Sequence, residues 1–435
     1  MGMIRQSIEG VEIADRPPQP TSQLREPVIR LADGLTVDDR IMETATLLVA
    51  PPGGGKTELL CQIIPQLLPC VTAQKANLFL LDVKGELWKR FGSFRGALRV
   101  SPSDTSNPSA CWNIFRELDA AKNTEVAARD IAKMLTKENR SEQQPFWENA
   151  ANDLLVSTIR WMHAKERQTG EQYGNWHLTD TLKRISIHKG DELNWYDIAR
   201  REPEFLGHIP NYFGNELGQA TGIISELLVL IHSAFWGSFN TSGGQFSCIE
   251  TVKTGGHLVF LSMDYANESE GSQKVFETML SLLLKHANDP ENRCLNYFLL
   301  DEGSVVGQVG TASALALGRA SGVRLIMATQ NLELLSLRMK EEERKSLLSL
   351  FGNLMILNAQ DRLSRKLLAD RYGDALCSWS FVGPMQQPMS HIGTRPVIAD
   401  SDFSLLNRKG DALCSFPRLS NQPFYYHGYR EELDI

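Results

Sequence analysis

The chain has 435 residues, 42% hydrophobic and 22% charged, with 45 basic against 52 acidic side chains and a net charge of −7. That length buries a large core and fits one big domain with an insertion, or two domains, while the acidic balance argues against nucleic-acid binding by bulk charge and leaves only a locally positive channel. No run approaches the ~18 apolar residues of a spanning helix, no signal peptide opens the chain, and seven scattered cysteines without a C-x-x-C pair indicate neither zinc nor disulfides, so a soluble chain in a reducing cytoplasm is expected.

Residues 1–44 contain Asp15-Arg-Pro-Pro-Gln-Pro20 and read as an extended arm, because prolines fix φ and remove donors. Residues 45–117 read as the first part of a nucleotide-binding domain. The apolar run Ala45–Val49 predicts a strand, and a helix is expected from Thr57. Between them lies Ala50-Pro-Pro-Gly-Gly-Gly-Lys56-Thr57, the strand–loop–helix context of a phosphate-binding loop. Glycines allow successive N–H groups to face one set of phosphate oxygens at a helix N-terminus. The candidate nucleotide-binding residues are Pro52, Gly53, Gly54, Gly55, Lys56, Thr57 and Glu58. Lys56 would reach the β- and γ-phosphates of ATP and the Thr57 hydroxyl would hold Mg²⁺. Ala50 stands where this pattern usually has its first glycine. A second buried strand is expected over Asn77–Asp82.

Residues 118–240 change character to long 3.6-period stretches, among them Glu125–Leu135, Phe146–His163 and Ala220–Phe235. They predict an all-helical insertion. With 13 basic against 16 acidic residues over 120–240 it carries no electrostatic footprint for phosphates. Trp147 and Trp161 lie four helical turns apart and fit a core stripe better than a base-stacking platform.

Residues 241–435 resume the alternation of strand and helix. Strands are expected at His257–Ser262, at Tyr297–Asp301, at Val323–Ala328, at Asn353–Leu357 and near Ala412–Phe416. Helices are expected at Gln273–His286, near Thr311–Ala320 and at Arg362–Arg371. Short apolar runs without alternation are parallel strands covered on both faces, so the class is α/β with a mostly parallel, doubly wound sheet. Asp301 and Glu302 end one such strand, 245 residues (301 − 56) after the loop lysine. Asp301 fits a Mg²⁺ ligand, and Glu302 the base that activates the attacking water. Gln330 ends the next strand and could sense the γ-phosphate, or simply hydrogen-bond a neighbouring loop. Arg319 could be an arginine finger for the next subunit's nucleotide, or a cation at a helix C-terminus. Residues 319–375 hold 10 basic and 7 acidic side chains, a mild excess that could line a channel. The spacing of Asp82, Lys84 and Glu86 defines no chemistry.

Several segments narrow the reading. Asn77-Leu-Phe-Leu-Leu-Asp-Val-Lys-Gly-Glu-Leu87 resembles the D-P-K-G-E-L strand end of the TraG/TraD-like type IV secretion coupling proteins. Arg99-Val-Ser-Pro-Ser-Asp104 and Cys111-Trp-Asn113 follow it, as that family's F-x-P and W-N-P segments would. Leu299–Glu302, Leu315–Leu325 and Thr329-Gln-Asn331 are similar to its acidic strand, arginine-bearing helix and glutamine-ended strand, and Arg395–Asp400 resembles its R-P-L segment. The likeness runs from about 45 to 425 in matching order. It implies a RecA-like P-loop nucleotide-binding domain with an all-α insertion, working as a homo-hexamer. It also implies an ATPase in conjugation, recruiting a relaxase-bound single DNA strand or protein cargo to a type IV secretion channel. The expected location is cytoplasmic, peripheral at the inner face of the bacterial inner membrane. Family members usually begin with two membrane helices, whereas the 49 residues before this loop hold no spanning segment. A fragment, a chain docked on a separate membrane anchor protein, and a soluble relative all fit that departure. The other functional readings are an FtsK/HerA-like DNA translocase and a nucleotide-gated cargo receptor with little turnover.

Overall fold

The computed structural model describes residues 4–20, 23–136, 145–213, 217–263, 270–303, 322–336, 340–358, 361–382 and 388–428. The chain divides into two compact units, one of Met1–Leu81 with Leu295–Ile435, the other of Asp82–Cys294. Strands of the first unit are β1 (Ile4–Glu9), β2 (Val28–Arg30), β3 (Thr36–Asp38), β4 (Thr46–Val49) and β5 (Ala76–Asp82, closing at the unit boundary). The second unit carries β6 (Ala97–Val100) and β7 (Leu258–Ser262). The chain then returns with β8 (Leu295–Asp301), β9 (Val323–Thr329), β10 (Asn353–Leu357), β11 (Asp374–Val382), β12 (Pro388–Pro396), β13 (Ala412–Ser415) and β14 (Phe424–Tyr426).

Within the first unit the main sheet runs in the order β14-β13-β10-β4-β9-β8-β5. The four strands β10, β4, β9 and β8 are parallel, in registers such as Asn353↔Thr46, Thr46↔Ile326 and Leu299↔Ile326. Leu47, Leu48 and Val49 of β4 are fully buried, which is why this strand reads as an unbroken apolar run rather than an alternating one. Parallel pairing brings the C-terminal ends of β4, β8, β9 and β10 to one edge, the edge where open α/β sheets bind ligands. β13 and β14 close the other flank as antiparallel strands.

The segment expected to be an extended arm carries β1, β2, β3 and the one-turn helix Asp39–Met42. That helix is capped by Asp38, whose carboxylate accepts from the Ile41 N–H at 3.1 Å. β1 joins a three-stranded antiparallel sheet in the order β1-β11-β12, with Ile4 opposite Ser380. Asp39 is fully buried and receives a bidentate pair from Arg324 of β9, Nε to Oδ1 at 2.7 Å and Nη2 to Oδ2 at 3.0 Å. The Tyr297 hydroxyl of β8 donates to the same carboxylate at 3.3 Å.

In the second unit β6 and β7 pair in parallel, and the helices Thr124–Thr136, Pro145–Thr169, Leu217–Ala234 and Glu270–Ala287 pack on one another. The carboxylate of Glu117 is fully buried and accepts four hydrogen bonds. They come from Trp112 Nε1 at 2.7 Å, Ser247 Oγ at 2.8 Å, Cys248 N at 2.7 Å and Ile249 N at 2.9 Å. Burial pushes its pKa up against those donors. Asn113 adds a bond to Gly244 O at 2.7 Å. Trp147 and Trp161 are both half-buried. Trp147 packs so closely on the helix Leu217–Ala234 that a Cβ at Gly222 would fall 2.7 Å from its ring. Among the described residues no helix is long and apolar enough to cross a membrane.

Candidate nucleotide site

The loop after β4 is shaped by its glycines. Gly53 and Gly55 have φ of 73° and 105°, conformations that side chains resist. Gly54 has no room for one, since an added Cβ would lie 2.9 Å from Pro51 O. Gly55 is the N-cap of the helix Lys56–Thr72, so the helix opens one residue before the expected Thr57 and the loop amides gather at its N-terminus. Ala50 keeps β4 in register by donating to Thr329 O at 3.1 Å. Its own carbonyl accepts from Lys56 Nζ at 3.1 Å, which folds the lysine back over the loop. Pro52, Gly53 and Glu58 are exposed around this nest, Glu58 in the first turn of the helix.

β8 delivers the acidic pair to the same edge. Thr57 Oγ1 donates to Asp301 Oδ2 at 3.2 Å, and Lys56 Nζ lies 3.4 Å from Glu302 Oε2. Glu302 has φ of 70°, a left-handed conformation costing a non-glycine residue about 1–3 kcal/mol and found mainly where function requires it. Its other oxygen accepts from the Gln330 N–H at 3.3 Å. Gln330 thus meets Glu302 through its backbone, a relation that its side-chain type did not signal. A hydroxyl and a carboxylate converging from Thr57 and Asp301 are hard oxygen donors of the kind Mg²⁺ takes, so the residues present fit that ion.

Lys56, Thr57, Asp301, Glu302 and Gln330 are therefore brought together. Arg319, with the helix expected near Thr311–Ala320, lies outside the described residues, as does Arg338. In the second unit Asp82 is buried, accepts from Trp88 N at 2.7 Å and has its pKa raised by desolvation, while Lys84 and Glu86 are exposed. Asp119, His163 and Glu166 also cluster in that unit. The Arg116 guanidinium already bridges the two carboxylates there, so their charge has its counter-ion.

A third element at the site had no sequence signal beyond a common turn. Gly410, between Leu406 and β13, donates its N–H to Gly54 O at 3.2 Å and has φ of 90°. A Cβ on Gly55 would meet Gly410 N at 3.3 Å, and one on Gly428 would fall 2.4 Å from Gly410 O. Gly410 and Gly428 are thus layered in turn against Gly55 of the loop.

A family model described as the type IV secretion-system coupling protein DNA-binding domain matches residues 31–376. Among solved structures, the bacterial conjugative coupling protein TrwBdeltaN70, in an unbound form, superposes with a TM-score of 0.74 at 15% identity, covering 99% of this chain and 95% of that one. The plasmid coupling protein TrwB in complex with ADP and Mg²⁺ superposes with a TM-score of 0.71 at 15% identity, covering 99% and 96%. VirB4 of Thermoanaerobacter pseudethanolicus gives 0.53 at 13% identity, covering 97% and 98%. No curated protein sequence gives a significant match.

Proposed function

The chain belongs to the family of the type IV secretion-system coupling protein DNA-binding domain, and from that premise we propose that it is a Mg²⁺-dependent ATPase that delivers cargo to a secretion channel. The cargo is DNA, as a relaxase-bound single strand, or protein. The observation that carries the reading is the convergence of Lys56 with Glu302 at 3.4 Å and of Thr57 with Asp301 at 3.2 Å at one sheet edge. The solved relatives bound to ADP and Mg²⁺, and to the non-hydrolysable ATP analogue ADPNP, support the choice of nucleotide.

In this reading the loop amides and Lys56 bind the β- and γ-phosphates, the lysine leaving Glu302 for phosphate oxygens. Thr57 and Asp301 would hold Mg²⁺, which would supply charge neutralisation when bound. Glu302, held by the Gln330 N–H, accepts the proton of the attacking water. Arg319 serves the nucleotide of the neighbouring subunit in a hexameric ring. The ring works at the inner face of the bacterial inner membrane.

Steady-state ATPase activity with and without single-stranded DNA tests this. Turnover stimulated by DNA, with binding that weakens steeply as salt rises, is the expected result. Tight nucleotide binding without turnover would replace the motor with a nucleotide-gated receptor.

A further inference from the structure

The turn Arg408–Asp411 packs against Gly54 and Gly55 of the phosphate-binding loop, and no motif assigns it a role. Its shape is imposed from several sides. Asp411, 2% exposed, accepts from Arg408 N at 3.2 Å through one oxygen and meets His427 Nδ1 at 3.2 Å through the other. The Asp411 N–H returns to Arg408 O at 3.1 Å. Gly410 is pressed between Gly55 on one side and Gly428 on the other, as described above, and no residue with a side chain fits there without displacing backbone. A turn built this tightly has one obvious product, a fixed starting point for the side chain of Lys409.

Lys409 begins beside the last glycine of the loop, its Cγ 3.7 Å from the position of a Cβ on Gly55. The rest of its stem and its ammonium extend from there. The side chain is exposed and, among the described residues, makes no hydrogen bond or ion pair. A lysine stem is long and flexible and carries a compact charge suited to phosphate oxygens. We infer that Lys409 is a further nucleotide-binding residue, a second cation that closes on the phosphate chain of a nucleoside triphosphate held by Gly53–Thr57. The hydrogen bond from Gly410 to Gly54 ties the turn to the loop, which holds the base of the lysine beside what the loop binds. This rests on the nucleotide reading of the loop and adds to it a residue 353 positions downstream of Lys56 (409 − 56).

The test measures ATP affinity of the full chain by competition with a fluorescent nucleotide, together with the melting temperature without nucleotide. Lys409→Met keeps the stem and removes the charge. It should weaken ATP binding about tenfold, as loss of a charge-assisted bond does, and leave the melting temperature where it was. Lys409→Arg should keep most of the affinity, and the gap between Lys409→Met and the parent should shrink at high salt. Lys56→Ala is the control for the site. If it abolishes binding while Lys409→Met binds normally, the loop reading stands and the role of Lys409 falls. If neither variant changes affinity, both fall. An equal loss in Lys409→Arg with a lowered melting temperature would mark a packing role and overturn the inference. A loss that vanishes as protein concentration rises would place Lys409 between copies of the chain and overturn it too.

Discussion

Lys56 Nζ faces Glu302 Oε2 across 3.4 Å with both side chains close to nine-tenths buried, at 8% and 11% exposure. A lysine and a glutamate at this depth each need the other's charge, because desolvating either alone is costly. The pair therefore ties the proposed phosphate ligand to the proposed proton acceptor, and substitution of either is felt by both.

That relation predicts two distinct failures. Lys56→Ala should lose nucleotide binding and turnover together. Glu302→Gln should retain ATP and lose turnover, because it keeps the shape and the bond from Gln330 while removing the base. Single-turnover hydrolysis with bound ATP quantified on filters separates the cases. Turnover above about a tenth of the parent in Glu302→Gln would remove Glu302 as the base, since general base catalysis contributes about 10²–10⁴ in rate.

Arg319 is placed by sequence alone, 18 residues after Asp301 and 11 before Gln330 (319 − 301 and 330 − 319). An arginine finger is worth about 10³–10⁵ in rate, whereas a cation at a helix end is worth only about 0.3–1 kcal/mol of stability. Arg319→Ala should collapse turnover with an unchanged melting temperature. Co-assembled with Glu302→Gln, it should regain activity, because one mixed interface then has an intact Glu302 and a neighbour's intact Arg319. Zero activity at every mixing ratio, with mixed rings verified by mass, would return Arg319 to a structural role.

At the opposite end of the strands, Arg324→Met would strand the fully buried Asp39, leaving only the half-exposed Arg25 at 3.3 Å and the Tyr297 hydroxyl. Breaking a buried pair from one side costs about 3–5 kcal/mol. Urea denaturation should show a loss in that range, and Asp39→Asn combined with Arg324→Met should recover a good part of it. A loss below about 1 kcal/mol would mean that the pair is solvated in practice.

His286 gives the fold a defined acid sensitivity. Burial, with Lys285 and Lys253 near, lowers its pKa to about 4, against about 6.5 when unfolded. Between those values the unfolded chain binds a proton that the folded chain refuses, so unfolding gains as pH falls. The contribution is fully present above pH 6.5 and lost as pH drops towards 4. Urea melts at pH 7.5, 5.5 and 4.5 should show His286→Gln losing less stability on acidification than the parent, by about 1 kcal/mol once solvent screening of the part-buried ring is allowed for. Parallel curves would contradict the shift.

The elements that hold the loop were legible because each carries its own local signal. β4, β9 and β10 are apolar without alternation, and the glycines between Pro52 and Lys56 have few other uses before a helix. The helix Pro145–Thr169 outran its expected end at His163 because its last turns are polar and leave no apolar stripe. The hairpin of β11 and β12 carries no separate signal, since only Gly373, at φ 60°, separates β11 from the preceding helix Arg362–Tyr372. β1 falls within the expected arm because its partner β11 lies some 370 residues away, beyond any local pattern. The Arg408–Asp411 turn was invisible as part of the site for a similar reason. Glycine and aspartate after a basic residue make an ordinary turn, and only the placing of β13 beside β10 carries it to Gly54.

Glu117 has a consequence for how this protein can change over generations. Through one carboxylate it grips Trp112 on one side and Ser247–Ile249 on the other, so the chain leaves for its helical excursion and comes home at the same point. More than a hundred residues are thereby reduced to a loop whose ends are already joined. Closing a longer or shorter loop between fixed ends adds little, roughly 0.6 kcal/mol per doubling. The excursion can be lengthened or trimmed while β6 and β7 stay in register, provided that Thr124–Thr136 and Leu217–Ala234 keep their packing on Glu270–Ala287, much as a tool head is changed on a fixed mount.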